Sequence, residues 1–535
     1  MTHAMICAPQ PEAAEAGADI LRAGGNAVDA AIACALVQGV VDPFMCGIAG
    51  FGSMGLYLPA QGAQLAIDFH APAPRAARPE MWQDLILGEA RDGYGFLLRD
   101  NINDVGYQSV CVPLSLAAFF EAQRGFGRLP WAEVVAPAIA WAEQGYMVRP
   151  HMAAFWNDPG QMGRIGNLAR LHATPAARAL YCRADGTPKR VGDEVRNPDL
   201  AQVLRLIARD GAEVFYRGEI AQAIAADFKA NGGLLAPDDL RDAAARRSEP
   251  LRGRYRGFDV TTNRPPGGGI MLLEMLNILE NFDLAALGHN TADYLRVVAE
   301  AMKRATVDKD RHVGDPDFVA IPLDRLTGKD YAAACAAAIR AGEKVAVPRL
   351  NSGFSARDTT HVSVVDREGG CVAMTHSLGM GSGVVTPGLG FMYNNCMAVF
   401  DPRPGHTGSI APGKARFTSL CPSILFRDGQ PALVIGAPGG TQIAMGVLQA
   451  ILNVIDFGMT MTEAVSAPRF SATSDAIDVS NRIPRFVTRA LEAQGYQVVR
   501  SPYTYGFAAV HGIRLAGGKL DGGADPSHDG IAIRV

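Results

Sequence analysis

Near residue 343 the chain changes periodicity, and this change limits what it can fold into. Before it, apolar residues recur at helical spacing; after it, short alternating runs separated by glycine turns take over. NPDLAQVLRLIARDGAEVFYRGEIAQAIAADFKANGG (197–233) reads as a helical run, and TADYLRVVAEAMKRATVDKDRHVGDPDF (291–318) as another, with Thr291 as its N-cap. A pair of helices in 11–41 is punctuated by Gly24-Gly25, and RPPGGGI places a Pro-Gly loop directly before a helix. Beyond the change, HVSVVDREGGCVAMTHSL (361–378) is strand, turn, strand. PSILFRDGQPALVIGA (422–437) repeats the design around Asp428-Gly429, and GSMGLYL with AQLAIDF forms an earlier hairpin. The expectation is a mixed α/β (α+β) protein, helix-rich and then sheet-rich, with RDTTH (357–361) at the junction.

Several function classes drop out on composition. A formal charge of −4 over 535 residues, with no basic run, argues against a nucleic-acid partner. Nine scattered cysteines without a CxxC pair suggest neither a zinc knuckle nor a disulfide framework, and fit a reducing compartment. The start lacks the features of a secretory signal, and AAIACALVQGVV (30–41), interrupted by Gln38, is too short to span a bilayer. A cytoplasmic protein with no membrane partner is expected. GIAGFG does not open a nucleotide-binding strand–loop–helix, and no metal-ligand cluster is visible, so no cofactor and no metal are expected.

Two adjacent threonines at a loop-to-strand junction admit two readings. Strand propensity alone explains Thr, Val and Ser on a pleated surface. The alternative is cleavage before Thr359, which exposes an amino-terminal threonine whose own α-amine, with a pKa of about 7.7–8.0, serves as the base for its hydroxyl. That chemistry also needs donors for a tetrahedral oxyanion. GAPGGTQI offers the amides of Gly439 and Gly440 at a strand-to-helix turn, although a lone PGG is equally a tight turn. Thr418 and Ser419, in RFTSLCPSIL, are hydroxyls that either line a site or cap a strand entry.

With GGNAVDAAIA, RPPGGGI, EAMKRATVDKDRHVGDPDF, DTTHVSVVD, TSLCPSI, GAPGGTQI, AVSAPRF and GGADPSHDG in order, the chain resembles the gamma-glutamyltransferase family of N-terminal nucleophile (Ntn) hydrolases along nearly its whole length. The resemblance implies a four-layer αββα sandwich with extra helices in the N-terminal part. It implies a precursor cut between Asp358 and Thr359 into a large piece (1–358) and a small piece (359–535) that stay together as one fold. It further implies that Thr359 is the nucleophile, that Ser377 hydrogen-bonds it, that Gly439 and Gly440 form the oxyanion hole, and that Thr418 and Ser419 help hold a substrate carboxylate. The pieces pair as a heterodimer, with a dimer of heterodimers as a further expectation.

The departures from the family pattern fall on the substrate pocket. The arginine that holds the γ-glutamyl carboxylate has His70 as its counterpart, in DFHAPAP, and histidine offers no permanent bidentate fork. The Asn, Gln and Asp that hold the γ-glutamyl amine have Gly379, Cys396 and Val399 as counterparts. The usual GIGGGGF is GIAGFGS at 47–53, and DPRPGHTGSIAPGKARF is short for a lid. His70 and His376 are candidates to line the pocket or are ordinary structural histidines. Arg75 and Arg416 are candidates to supply the missing positive charge or are solvated surface residues. Asn394-Asn395 reads as structural hydrogen bonding.

The expected activity is that of a self-processing amidohydrolase acting on a small, carboxylate-bearing amide through an acyl-enzyme. The family includes cephalosporin acylases and an oxamate amidohydrolase, and the second, small-substrate and of similar length, makes oxamate the leading specific substrate. The competing readings are a gamma-glutamyl hydrolase or transpeptidase with a rebuilt clamp, and an uncleaved, non-catalytic binding scaffold.

Overall fold

A positive φ of 96° at Gly24 stops the first helix, and Asn26 starts the second. The Asn26 side chain accepts from the amides of Val28 and Asp29 at 3.0 and 3.1 Å, while Asp29 accepts from the Asn26 amide, closing a capping box. The computed structural model describes residues 3–91, 93, 95–160, 164–349, 359–502 and 506–535. Asp358, half of the expected cleavage site, lies outside the described residues.

In chain order the elements that build the site are β1 (Met5–Ala8), α1 (Pro11–Arg22), α2 (Ala27–Val41), β2 (Phe51–Leu58), β3 (Ala63–Phe69) and α3 (Ser115–Phe126). There follow β4 (Arg246–Ser248), β5 (Leu251–Tyr255), β6 (Phe258–Thr262), α4 (Gly269–Leu279) and α5 (Ala292–His312). The last part supplies β7 (Thr360–Val365), β8 (Cys371–Ser377), β9 (Ser423–Arg427), β10 (Gln430–Gly436), α6 (Ile443–Ile455), β11 (His511–Ala516), β12 (Lys519–Ala524) and β13 (Ile531–Arg534). One sheet runs β13-β1-β7-β8-β2-β3-β4 and the other β12-β11-β10-β9-β6-β5, with antiparallel neighbours throughout.

The sheets pack face to face through Met5, Cys7, Val365, Cys371 and Ala373 on one side and Ile424, Phe426, Val434, Ile513 and Leu520 on the other. Val362, Val364, Val372 and Met374 point the opposite way, into the layer built by α1 and α2. Leu425, Leu433 and Ile435 meet α4, α5 and α6 on the far side of the second sheet. Four layers, αββα, result. Every residue of β7 and β8 is buried, because both of their faces are covered. The helix α2 is apolar nearly all round for the same reason: it lies between the sheet and other helices. No helix among the described residues is long and apolar enough to cross a membrane.

The three hairpins form as the turns dictate. Asp428 (φ 51°) and Gly429 (φ 75°) both sit in the left-handed region, which matches strand twist in a two-residue turn. The run 197–233 resolves into three helices, Pro198–Asp210, Glu213–Tyr216 and Glu219–Ala230, because glycines at 211 and 218 interrupt it. Thr291 caps α5 by accepting from the Tyr294 amide at 3.3 Å. Both sheets draw strands from before and after Thr359: β1 to β4 flank β7 and β8 in one, and β5 and β6 complete the other. Neither piece alone therefore supplies all the strands of either sheet.

Candidate active site

Antiparallel pairing sets the first contact. Thr360 lies opposite His376, so the residue before β7 comes beside the last residue of β8. There the Thr359 hydroxyl donates to Ser377 Oγ at 3.0 Å, and Ser377 Oγ also accepts from the Gly379 amide at 2.8 Å. The next residue along is anchored as well: the Met380 amide donates to Asn395 Oδ1 at 2.8 Å. The Asn395 amide group donates to Asp104, itself ion-paired at 2.8 Å to the fully buried Arg170. Asn394 accepts from the amides of Cys111 and Cys396 and donates to the carbonyls of Ala49 and Cys111. Buried amides so satisfied hold the turn that orients Ser377.

The two threonines face different layers. Thr360 donates to Gln10 and accepts from the Gln38 amide at 2.9 Å, toward the helices. Gln38, the interruption in the apolar run, also bonds His376 Nε2 at 2.8 Å, and the His376 ring meets Phe119 edge-on at 5.4 Å. His376 is therefore packed on the helix side of β8, away from Thr359.

Burial pushes the His376 pKa down to about 3 and that of His511 to about 4, so both are neutral in the fold. A group of this kind stabilises the fold above its unfolded pKa near 6.5 and loses that stability as pH falls toward the folded value. From pH 6.5 to 5 each such histidine costs about 2 kcal/mol. Asp42, raised to about 6 by burial, acts in the opposite sense over that range. Scanning calorimetry of His376→Gln beside the parent isolates the histidine: the melting temperature of the variant should fall less between pH 7 and 5. An equal fall in both proteins rules out a buried neutral His376.

A second loop completes the centre. β10 ends at Gly436, and α6 begins at Ile443 after a turn through Pro438, Gly439 and Gly440. Gly439 has φ 140°, and a Cβ there would fall 2.6 Å from the Cα and Cβ of Ala508, so only glycine fits. Thr359 lies between two cavities. Gly440 lines the first and Gly439 the second.

The first cavity gathers Thr418 and Ser419 with Arg416, Lys309, Thr441, Phe51 and Val399. Arg416 is buried, its guanidinium carbon 4.3 Å from the centroid of the Phe51 ring. Lys309 pairs with Asp310 and lies 5.2 Å over the Phe417 ring. The Thr418 amide donates to the Pro266 carbonyl at 2.9 Å, and its hydroxyl accepts from Leu420, which fixes the wall.

Not every expected residue reaches the cleft. His70 is buried with its Nδ1 against Asp68 and lines a separate pocket with Arg246, Arg264 and Asp315. Its backbone amide also donates to Asp68, at 2.9 Å, so the acid two residues back turns the ring away. Arg75 pairs with Asp242 at 2.5 Å on the surface. Of the counterparts to the family's amine clamp, Val399 lines the cleft, Gly379 contributes its amide to Ser377, and Cys396 is buried. Sequence reasoning passed over Phe51, Lys309, Met45, Phe507 and His528. The altered glycine run GIAGFGS carried a signal for Phe51, and the motif GGADPSHDG one for His528.

Comparison with known proteins finds relatives along nearly the whole chain. A family model described as gamma-glutamyltranspeptidase matches residues 13–535. An acylase ACY 1 proenzyme from Pseudomonas sp. (strain V22) is 38% identical over 540 residues, covering 100% of this chain and 94% of that one. A glutathione hydrolase proenzyme from Escherichia coli (strain K12) is 33% identical over 548 residues, covering 98% and 90%. The crystal structure of cephalosporin acylase from Bacillus halodurans superposes with a TM-score of 0.87 at 29% identity, covering 99% and 96%.

Proposed function

Because this chain belongs to the gamma-glutamyltranspeptidase family of Ntn hydrolases, we propose that it is a self-processing threonine amidohydrolase for amides whose acyl group carries a carboxylate. The observation that carries this reading is the meeting at Thr359 of its Ser377 partner, the Gly439-Gly440 turn and the cavity that holds the buried Arg416. Oxamate is the smallest such substrate, and a glutaryl amide is the one shaped like γ-glutamyl without its amine.

Processing comes first. Thr359 Oγ attacks the Asp358 carbonyl, the peptide nitrogen leaves as the Thr359 amine, and water opens the resulting ester. Thr359 has φ 116°, a conformation costing a β-branched residue about 1–3 kcal/mol. Cutting the preceding bond removes that restriction. In turnover the free amine takes the hydroxyl proton, Oγ attacks the substrate carbonyl, and the Gly439 and Gly440 amides receive the oxyanion. The amine product leaves with that proton, and water releases the acid.

Specificity follows from what faces the acyl group. Arg416 and the Thr418 and Ser419 hydroxyls offer donors to a carboxylate, whereas Val399 offers an ammonium nothing comparable. A γ-glutamyl amine placed there loses its hydration without a partner, on the order of several kcal/mol.

Intact mass spectrometry with a substrate panel tests the proposal. Fragments of about 38 and about 19 kDa are expected from the 56.7 kDa chain, the smaller beginning at Thr359. Glutaryl p-nitroanilide should be hydrolysed at least about tenfold faster than its γ-glutamyl analogue, matching the lost ammonium partners. The reverse order, with acceleration by dipeptides, would establish a transpeptidase with a rebuilt clamp instead. Ser377→Ala should slow processing about 10²-fold or more, since the hydroxyl loses the group that orients it, as followed by the decay of the uncut band.

A further inference from the structure

Beside Arg416 two cysteines from distant parts of the chain meet. Asn394 holds the backbone of both: its side-chain oxygen accepts from the amides of Cys111 and Cys396 at 3.0 and 3.1 Å, and its amide group donates to the Cys111 carbonyl at 3.0 Å. Both cysteines are fully buried, and both are free thiols. Their sulfurs are hydrogen-bonded to each other, and the Arg416 guanidinium bonds the Cys396 sulfur. The same guanidinium stacks on Phe51 and lines the cavity that reaches Thr359.

A buried guanidinium keeps its charge and requires acceptors or an anion around it. A sulfur that accepts from a thiol and a guanidinium at once is better matched as a thiolate than as a thiol. We infer that Cys396 is a positioning residue, the resident counter-ion of Arg416, and that it sets how tightly the acyl carboxylate binds. Thiolate and substrate carboxylate compete for one positive charge, and Cys396 takes up a proton when the carboxylate arrives.

The two sulfurs carry this charge unequally. Burial pushes the Cys111 thiol well above its ordinary range, and its bond to Cys396 adds to the rise, so Cys111 is the S–H donor. Burial acts on Cys396 in the same direction, but the Cys111 donor, then the charge and hydrogen bond of Arg416, outweigh it and bring that thiol below its usual value. Cys111 and Arg416 are the titratable and charged groups that face Cys396 among the described residues. The thiols of the other cysteines are all raised. Where the thiolate is formed, the guanidinium already has its anion and a carboxylate gains little. Where Cys396 is protonated, the carboxylate gains the whole pair. Carboxylate affinity therefore falls as pH rises.

This role rests on the acyl assignment to the Arg416 cavity. It also gives a use to one departure from the family pattern, since the sulfur at the glutamine's counterpart serves Arg416 instead of a substrate amine.

Inhibition of the processed protein by free glutarate, followed from about pH 6 to about pH 9, tests it. Over that range the inhibition constant of the wild type should rise at least about tenfold more than that of Cys396→Ser, which keeps the Thr359 amine and lacks only the thiol. A thiolate ultraviolet band, present in the wild type at mildly alkaline pH and lost in Cys396→Ser, should weaken as glutarate is added. Cys111→Ala, which removes the S–H donor, should move the rise in inhibition constant to higher pH. Parallel pH profiles for wild type and Cys396→Ser, or a wild type without the thiolate band, overturn the counter-ion and leave the acyl reading standing. Failure of glutarate to inhibit either protein at any pH overturns the acyl assignment, and the role of Cys396 with it.

Discussion

Thr359→Ala is expected to give one uncut chain of 56.7 kDa with no measurable amidase activity. The substitution removes the hydroxyl that performs both attacks, first on the chain and then on substrate, and it prevents release of the amine that serves as base. Loss of a nucleophile with its base costs about 10⁴-fold or more in rate. The neighbouring threonine is the control that makes the result specific. Thr360 is bonded to Gln10 and Gln38 on the helix side, so Thr360→Ala should still be cut and still be active. Its cost should appear as stability, about 1–3 kcal/mol, because the Gln38 amide loses a buried acceptor. Electrophoresis and thermal melting of the two variants decide the matter. A cut Thr359→Ala protein, or a Thr360→Ala protein that stays whole and folded, would assign the nucleophile to the wrong residue.

The hairpins and helix stops were legible because they are local. Asp428-Gly429 needs only its own backbone to make a turn, and Gly24 with Asn26 needs only theirs to separate two helices. The Thr359–Ser377 meeting was implied only by the family resemblance, and the register of the hairpin between β7 and β8 accounts for it. The substrate side was not legible. His70 follows β3 as expected, yet an acid two residues back captures its ring, a competition that position in the sequence does not reveal. Gln38 reads as a flaw in an apolar run, and its purpose emerges only when α2 is laid across β7 and β8. Phe51 and Arg416 lie 365 positions apart in the chain, and their stacking depends on how a strand of the first sheet meets the segment leading into the second. The cavity beside Gly439 draws on residues near 45, 438, 507 and 528, which only the layered fold collects.

Arg416→Leu should separate the two substrate classes. On glutaryl anilide the loss in kcat/KM should be about 30- to 4,000-fold, the range set by removing one partner of a desolvated charge pair at 2–5 kcal/mol. Most of it should appear in KM, since the carboxylate is bound equally in ground and transition states. A neutral butyryl anilide lacks the carboxylate and should lose little. Arg416→Lys should recover only part, because an ammonium does not offer the planar fork of a guanidinium. Phe51 provides a further check from outside the charge itself. The ring lies 4.3 Å from the guanidinium carbon, where the family's glycine-rich run has no side chain to offer, and such stacking contributes about 0.5–2 kcal/mol. Phe51→Leu should therefore weaken glutaryl binding about 2- to 30-fold while sparing the butyryl substrate. Equal losses on both anilides would mean that Arg416 merely supports the wall. A selective loss in both variants would mean that Arg416 and Phe51, the latter a departure from the family pattern, together form the anchor that His70 does not provide.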